Sequence, residues 1–253
     1  MLEEILTLNI FAFILIFARV GTAFFILPGF AGAKVNMRAR LGIALTISFL
    51  VTPGLAGQLP AMPGEPLNLF LLMAGEMLAG SVIAVVPLIL LSAMHTAGTV
   101  IAFVSAMANS MSFDPISQQQ TALVAGFLTT TVMLLVFVTE MHHLFIRAIL
   151  DSYVLFQPGV PLDFGDTLHL LARHVADSFK VGLQLSAPFL VVAFTYYLGL
   201  GVLTRLAPSI PSFFVIMPLQ IAIAIIVLML ALPGMTLVHL NYVESGVIKY
   251  IAP

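Results

Sequence analysis

The chain has 253 residues, of which 61% are hydrophobic and only 8% are charged, whereas soluble domains carry about 25% charged residues. Such a composition is typical of a membrane-embedded protein. The formal net charge of −2 offers no basic surface for nucleic acid. The sequence contains no cysteine, which excludes disulfide bonds, thiolate metal sites and cysteine nucleophiles.

Long uncharged stretches run through the chain and predict helices that lie outside water. Stretches without Asp, Glu, Lys or Arg cover residues 41–64, 77–113, 115–139, 181–204 and 206–243. Each is long enough for a span of about 20 residues. The helices are predicted at 4–27, 40–57, 66–108, 116–150, 168–206 and 213–242, with loops rich in Pro and Gly at 52–66 and 156–166. The predicted fold is therefore all-α and polytopic, with about six long helices.

Proline residues lie inside several of these apolar segments, namely Pro87, Pro188, Pro218 and Pro233. Proline removes one hydrogen bond of a helix, so we expect these helices to be broken. The helix at 66–108 would be about 60 Å long, twice the thickness of a hydrocarbon core. Small residues in "AGEMLAGS" (74–81) and "LGLGVL" (198–203) favour close approach between helices. Burial against other proteins is therefore as consistent with the sequence as burial in lipid.

Four charged residues lie inside or at the ends of the apolar helices: Arg19, Glu76, Glu140 and Arg205. An ionised group in such a place costs at least about 2.5 kcal/mol unless it is paired or hydrated. We therefore expect each to have a partner. The alternatives are a path for protons or ions and, as the favoured interpretation, structural pairing or snorkelling at helix ends.

Two predicted helices each carry a polar stripe at steps of three and four residues. The stripes are Glu140, His143, Arg147 and Asp151 on one helix, and His169, Arg173, Asp177 and Lys180 on the other. If the helices pair antiparallel, Arg147 faces Asp177 and Asp151 faces Arg173, with opposite charges at each position. These two ion pairs are the hypothesis, and two separately solvated faces are the alternative.

Metal binding and catalysis have little support in the sequence. Glu140, His142 and His143 lie close together, but adjacent histidines point about 100° apart on a helix and no H-E-x-x-H pattern follows. A G-x-S-x-G elbow and a phosphate-binding Gly loop are both missing from the sequence. We predict no metal, no cofactor and no enzymatic activity.

A polar insert, "MANSMSFDPISQQQ" at 107–120, separates two apolar segments. Asp114 and Pro115 fit the N-cap and first turn of the fourth predicted helix. The insert also carries apolar side chains at Met107, Met111, Phe113 and Ile116. From the residues alone, an ordinary connection between helices is the favoured interpretation.

Several blocks of the sequence resemble the FliR/SctT-like family, which includes the FliR flagellar biosynthetic proteins of the type III export gate. They are "RVGTAFFILPGFAGAKVNMRARLGIALTISFLVTP" (19–53), "GEMLAGSVIAVV" (75–86), "FDPISQQQTALVAGFL" (113–128) and "LGLGVLTRLAPSIPSFFVIMPLQI" (198–221). The resemblance covers nearly the whole chain in order. It implies a single export-gate domain over 1–253, with a FliP-like helical part at about 1–165 and a FliQ-like helical hairpin at about 166–253.

The resemblance also implies partners and a role. One copy would complete a spiral of FliP-like and FliQ-like subunits around a protein-conducting channel in the bacterial inner membrane, at the flagellar basal body. A FlhB-like subunit would surround the cytoplasmic entrance, a FlhA-like ring would lie below it, and unfolded flagellar proteins would pass through. The insert would be the plug of the closed channel, formed by Met107, Met111, Phe113, Asp114, Pro115 and Ile116.

Alternatives from other classes stay open at this stage. A homologue from a virulence-type secretion system would share the fold and mechanism. A small-solute transporter would require two related halves with paired broken helices around a charged site, and the sequence offers no such halves. A membrane enzyme would require a catalytic motif.

Overall fold

The computed structural model describes residues 2–32, 35–107, 111–114, 119–206 and 212–251. Within these residues the helices are α1 (Leu2–Ile26), α2 (Met37–Leu55), α3 (Pro66–Val104), α4 (Leu123–Val138), α5 (Met141–Leu155), α6 (Phe164–Leu206) and α7 (Ser212–Ile248). A short 3₁₀ helix follows α2 at Ala56–Gln58. The predicted all-α, polytopic fold class is confirmed.

The insert between α3 and α4 contains a small β-hairpin, which the sequence did not predict. Strand β1 (Met111–Asp114) pairs antiparallel with β2 (Gln119–Ala122), with Met111 opposite Ala122 and Asp114 opposite Gln119. The fourth helix was predicted to start at 116, but α4 begins at Leu123. Asp114 therefore lies in a strand, and its predicted role as the N-cap of this helix is wrong.

The fourth predicted helix is also divided in two. Helices α4 and α5 meet at a bend of 75°, where Glu140 adopts a left-handed conformation with φ of 59°. A left-handed residue ends a helix because its carbonyl and amide leave the helical direction. Glu140 then serves as the N-terminal cap residue of α5. The prediction of one helix over 116–150 failed here because the left-handed region is usually occupied by Gly or Asn and not by Glu.

Four helices are long and apolar enough to cross a membrane among the residues described, and the α4–α5 pair gives a fifth if it forms one bent span. Helices α3 and α6 have 39 and 43 residues, so they measure about 58 Å and 65 Å at 1.5 Å per residue. Both continue through their prolines, Pro87 and Pro188, and α7 continues through Pro218 and Pro233. The expectation that proline breaks these helices is therefore wrong, because a proline removes only one hydrogen bond and the bonds on either side keep the helix continuous.

The chain forms two compact units. The first unit contains residues 1–89, 137–174 and 244–253, and the second contains 90–136 and 175–243. In the first unit, α1 and α5 bury large apolar side chains, namely Leu15, Ile16, Phe24, Phe145 and Ile149. In the second unit, α3 and α4 do the same with Leu90, Met94, Ile101, Leu128 and Val136. Each unit thus has its own apolar core.

Glycine residues permit the closest helix contacts in both units. A Cβ atom at Gly80 would collide with the backbone carbonyl of Arg19, so α3 approaches α1 directly through this glycine. In the second unit, a Cβ at Gly98 would lie 2.5 Å from Ala125 Cα, and one at Gly182 would lie 2.7 Å from the Ala93 carbonyl oxygen. Close approach at "AGEMLAGS" is confirmed for Gly80, whereas a Cβ at Gly199 or Gly201 in "LGLGVL" would meet no atom within 4 Å in the part of the chain that the structure describes.

Substitution of Gly80 by Ala is expected to destabilise the first unit, because the new methyl group must push α1 away from α3. Overpacking of this kind costs about 1–3 kcal/mol or more. Gly75→Ala is the matched control, since it lies on the same helix and a Cβ there would meet no atom of the described residues within 4 Å. Thermal unfolding in detergent compares the two variants. An unfolding temperature for Gly80→Ala equal to that of Gly75→Ala would contradict the close contact.

Candidate functional site

The hairpin begins a few residues beyond the end of α3, in the second unit. Helix α3 ends at Val104, and Ala106 follows in the left-handed conformation with φ of 59°. The Met107 amide donates a hydrogen bond to the Ala102 carbonyl at 3.0 Å, and the Ser105 amide donates one to Ile101 at 3.0 Å. This bond from Met107 to Ala102 is the signature of a Schellman helix end. The backbone thus leaves α3 in a fixed direction.

The side chain of Gln220 on α7 binds the same end of α3. Its Nε2 donates to the Val104 carbonyl at 2.7 Å and to the Tyr197 hydroxyl of α6 at 3.1 Å. The Gln220 side chain is buried. Helices α3, α6 and α7 of the second unit are therefore linked by polar contacts where the chain turns toward the hairpin.

A second polar site lies in the first unit, where Arg19 of α1 and Glu76 of α3 form a buried ion pair. Arg19 Nε lies 2.7 Å from Glu76 Oε2, and Arg19 Nη2 lies 3.0 Å from Glu76 Oε1. The side chains are 1% and 3% exposed. Two parallel hydrogen bonds between a guanidinium and a carboxylate form the most specific kind of ion pair.

The remaining donors of Arg19 bind groups on and after α5. Nη2 donates to the Phe156 carbonyl at 2.8 Å and Nη1 donates to Ser152 Oγ at 3.3 Å. The guanidinium carbon lies 4.0 Å from the ring centre of Tyr153, which gives a cation–π contact. One arginine therefore links α1, α3 and the end of α5.

Arg19 and Glu76 also line a cavity of about 630 Å³ in the first unit. Its other walls are mostly apolar and come from the start of α3 and from the loops at 60–63 and 156–162. Each nitrogen of the guanidinium donates at least one hydrogen bond, and the Glu76 carboxylate balances its charge. In the described part of the chain, no group of three or more His, Asp or Glu side chains is arranged to hold a metal ion.

Long apolar helices and a hairpin segment with a single charged residue, Asp114, characterise the described part of the chain. The family described as "Bacterial export proteins, family 1" matches residues 10–246. The chain belongs to this family. The resemblance to FliR-like proteins inferred from the sequence is thereby confirmed, and the protein is a membrane-embedded member of a bacterial export system.

Relatives of this family 1 export protein match it over most of their length. The flagellar biosynthetic protein FliR of Caulobacter vibrioides is 31% identical over 88% of this chain and 89% of the relative. The protein of the same name from Bacillus subtilis is 27% identical over 87% and 86%. The Yop proteins translocation protein T of Yersinia pestis is 25% identical over 91% and 89%.

The plug residues predicted for this export protein fall in and around the hairpin. Met107 follows the end of α3, and Met111, Phe113 and Asp114 lie in β1. Pro115 and Ile116 lie outside the described residues. The position of the segment between two apolar helices is therefore as predicted, while its role as a plug stays a prediction.

The two other charged residues singled out from the sequence are exposed, in contrast to Arg19 and Glu76. Glu140 lies at the α4–α5 bend, where its Oε2 is 3.9 Å from His143 Nδ1. Arg205 is exposed in the last turn of α6, where a positive charge interacts favourably with the helix dipole. Whether the four residues are structural or belong to an ion path stays a prediction.

The predicted ion pairs Arg147–Asp177 and Asp151–Arg173 also stay predictions. Within α5 of the first unit, Arg147 Nε lies 3.4 Å from Asp151 Oδ2, one turn along the same helix. Such pairs four residues apart contribute about 0.3–0.5 kcal/mol when exposed.

Two features of the sites were missed from the sequence. Gln220 lies in the uncharged segment 206–243. A polar side chain in such an apolar segment needs a hydrogen-bond partner when it is buried, so the sequence did contain a signal for this contact. Ser152 and Tyr153 carry no such signal, because their contacts with Arg19 join residues more than 130 positions apart.

Removal of one partner of the Arg19–Glu76 pair is expected to destabilise the first unit. Glu76→Gln leaves the buried guanidinium without its counter-charge, which costs about 3–5 kcal/mol. The double variant Arg19→Met, Glu76→Met is expected to recover much of this loss, because apolar residues of similar size avoid the desolvation of two charges. Protein abundance in membranes and thermal unfolding in detergent measure both effects.

The same variants separate a structural role from an ion path. A structural pair predicts that export recovers together with stability in the double variant. Stable protein without export in the double variant would instead show that the charges themselves act in transport.

Proposed function

We propose that the chain is a non-enzymatic subunit of the flagellar type III protein export gate, which forms the protein-conducting channel together with FliP-like and FliQ-like subunits. The observation that carries the proposal is the near full-length similarity to FliR proteins, at 31% identity in the case of Caulobacter vibrioides. The match of the family over residues 10–246 supports it.

The equivalent subunit of a virulence-type III secretion system is the second candidate. It is favoured by the 25% identity to the Yop proteins translocation protein T of Yersinia pestis over 91% of this chain. The identities of 31% and 27% to the FliR proteins of Caulobacter vibrioides and Bacillus subtilis are higher, and they favour the flagellar assignment. Deletion of the gene distinguishes them, since loss of motility supports the flagellar role and loss of an injectisome's secretion supports the other.

Exposed apolar side chains on the long helices support assembly with other subunits. Phe194 and Leu206 of α6 are 67% and 78% exposed, and Leu230 of α7 is 78% exposed. Apolar surface of this extent requires lipid or protein cover. We infer that FliP-like and FliQ-like subunits supply part of it within the bacterial inner membrane. A FlhB-like subunit, a FlhA-like ring and unfolded flagellar substrates complete the proposed set of partners at the flagellar basal body.

We also infer that the segment 107–122 is the plug of the closed channel. Asp114 is its only charged residue, and Met107, Met111, Phe113 and Ile116 add apolar groups. An apolar constriction closes a pore by excluding water, and the flexible thioether of Met allows it to deform. The fixed exit from α3 and the strand pairing of 111–114 with 119–122 would hold such a plug in one place while a substrate is absent.

Replacement of residues 107–113 by Gly and Ser is expected to leave the assembled complex intact and to make the membrane leak ions, because the apolar seal is lost. The control Met111→Leu, Phe113→Leu keeps apolar side chains and is expected to stay sealed. Single-channel conductance of purified complexes in planar bilayers measures the leak. An assembled replacement variant with the conductance of the native complex would refute the plug role.

A further inference from the structure

The carbonyl groups at the end of α3 have different hydrogen-bond partners. The last four carbonyls of a helix lack partners within it. Those of Ile101 and Ala102 accept from the Ser105 and Met107 amides, which belong to the turn after the helix. Val104 ends the helix, and its carbonyl accepts instead from the Gln220 side chain of α7 at 2.7 Å.

The side-chain amide of Gln220 forms hydrogen bonds with two neighbouring helices, α3 and α6. An amide NH₂ has two hydrogens, and Nε2 of Gln220 donates to the Val104 carbonyl and to the Tyr197 hydroxyl. The side chain is buried, where an unpaired amide or carbonyl is destabilising. The arrangement therefore favours one position of the α3 end relative to α6 and α7 in the second unit.

We propose that Gln220 is the residue that positions the segment 107–122, by fixing the helix end from which this segment emerges. Val104 lies three residues before Met107, and Ala106 between them has the left-handed conformation that sets the exit direction. A displaced Val104 would therefore redirect the chain into the hairpin. The proposal rests on the proposed gate function in one respect: the position of this segment affects export only if the segment closes the channel.

The space around Gln220 decides which substitution tests the proposal. A cavity of about 20 Å³ adjoins it, lined also by Val104, Ser105 and Tyr196, and this is enough for about one water molecule. Shortening to Ala would add room for water, which could donate to Val104 in place of the amide. Gln220→Met has a similar length, fills the space and donates no hydrogen bond, so it is the sharper variant.

Hydrogen exchange of the full chain, co-assembled with its FliP-like and FliQ-like partners in nanodiscs, measures the position of the segment directly. In Gln220→Met we expect amides at 105–107, 111–114 and 119–122 to exchange about tenfold faster, the change that follows from loss of one buried hydrogen bond. Tyr197→Phe keeps the bond to Val104 and is expected to give a smaller change. Gln184→Met, an exposed glutamine of α6, is the matched control and is expected to leave exchange unchanged.

Each outcome of the exchange experiment supports or contradicts the positioning role of Gln220. Faster exchange confined to the α3 end and the hairpin supports the proposal. Unchanged exchange in Gln220→Met overturns it, and so does an increase spread equally over α3, α6 and α7, which would assign Gln220 to general stability. Conductance is recorded on the same samples: a loosened hairpin without a leak supports positioning by Gln220 and contradicts the plug role, so the two hypotheses fail separately.

Discussion

The buried pair of Arg19 and Glu76 is the interaction on which the first unit depends. Two charges removed from water must compensate each other, because burial takes away the solvation that water would supply. Both partners therefore require the close approach of α1 and α3 that Gly80 permits. Arg19 adds bonds to the end of α5, so a single side chain links three helices of the first unit.

In the second unit, the helices are linked by uncharged polar contacts. Its helices are apolar and have few directional contacts, so any register between them must come from small residues and from isolated polar groups. Gly98 and Gly182 allow close backbone contact, and Gln220 supplies the directional bonds. If the segment 107–122 closes a channel as proposed, uncharged links of this kind suit its surroundings, since a fixed charge there would bind or repel passing ions.

The sequence predicted the helices best where apolar segments are long and bounded by loops. Helix α6 was expected at 168–206 and is observed at Phe164–Leu206. The hairpin was missed because Gln, Ser and Thr around Pro115 give no alternating pattern, and the bend was missed because Glu140 is an uncommon residue for a left-handed backbone. The partner of Arg19 could not be identified either, since Glu76 is 57 positions away and no local spacing connects the two. The Asp114–Pro115 pair suggested a helix start that the strand pairing overrides.

Ala106, between the end of α3 and the hairpin, has a left-handed backbone although it is not glycine. Glycine is the usual residue at a left-handed helix end, because it adopts this conformation without steric cost. The left-handed conformation costs alanine about 1–2 kcal/mol. Alanine also has far fewer alternative backbone conformations than glycine. The junction is thus less stable than it would be with glycine, but also stiffer. A stiff junction of this kind fixes the direction in which the chain leaves α3, so any change in the path of the hairpin has to arise beyond Ala106.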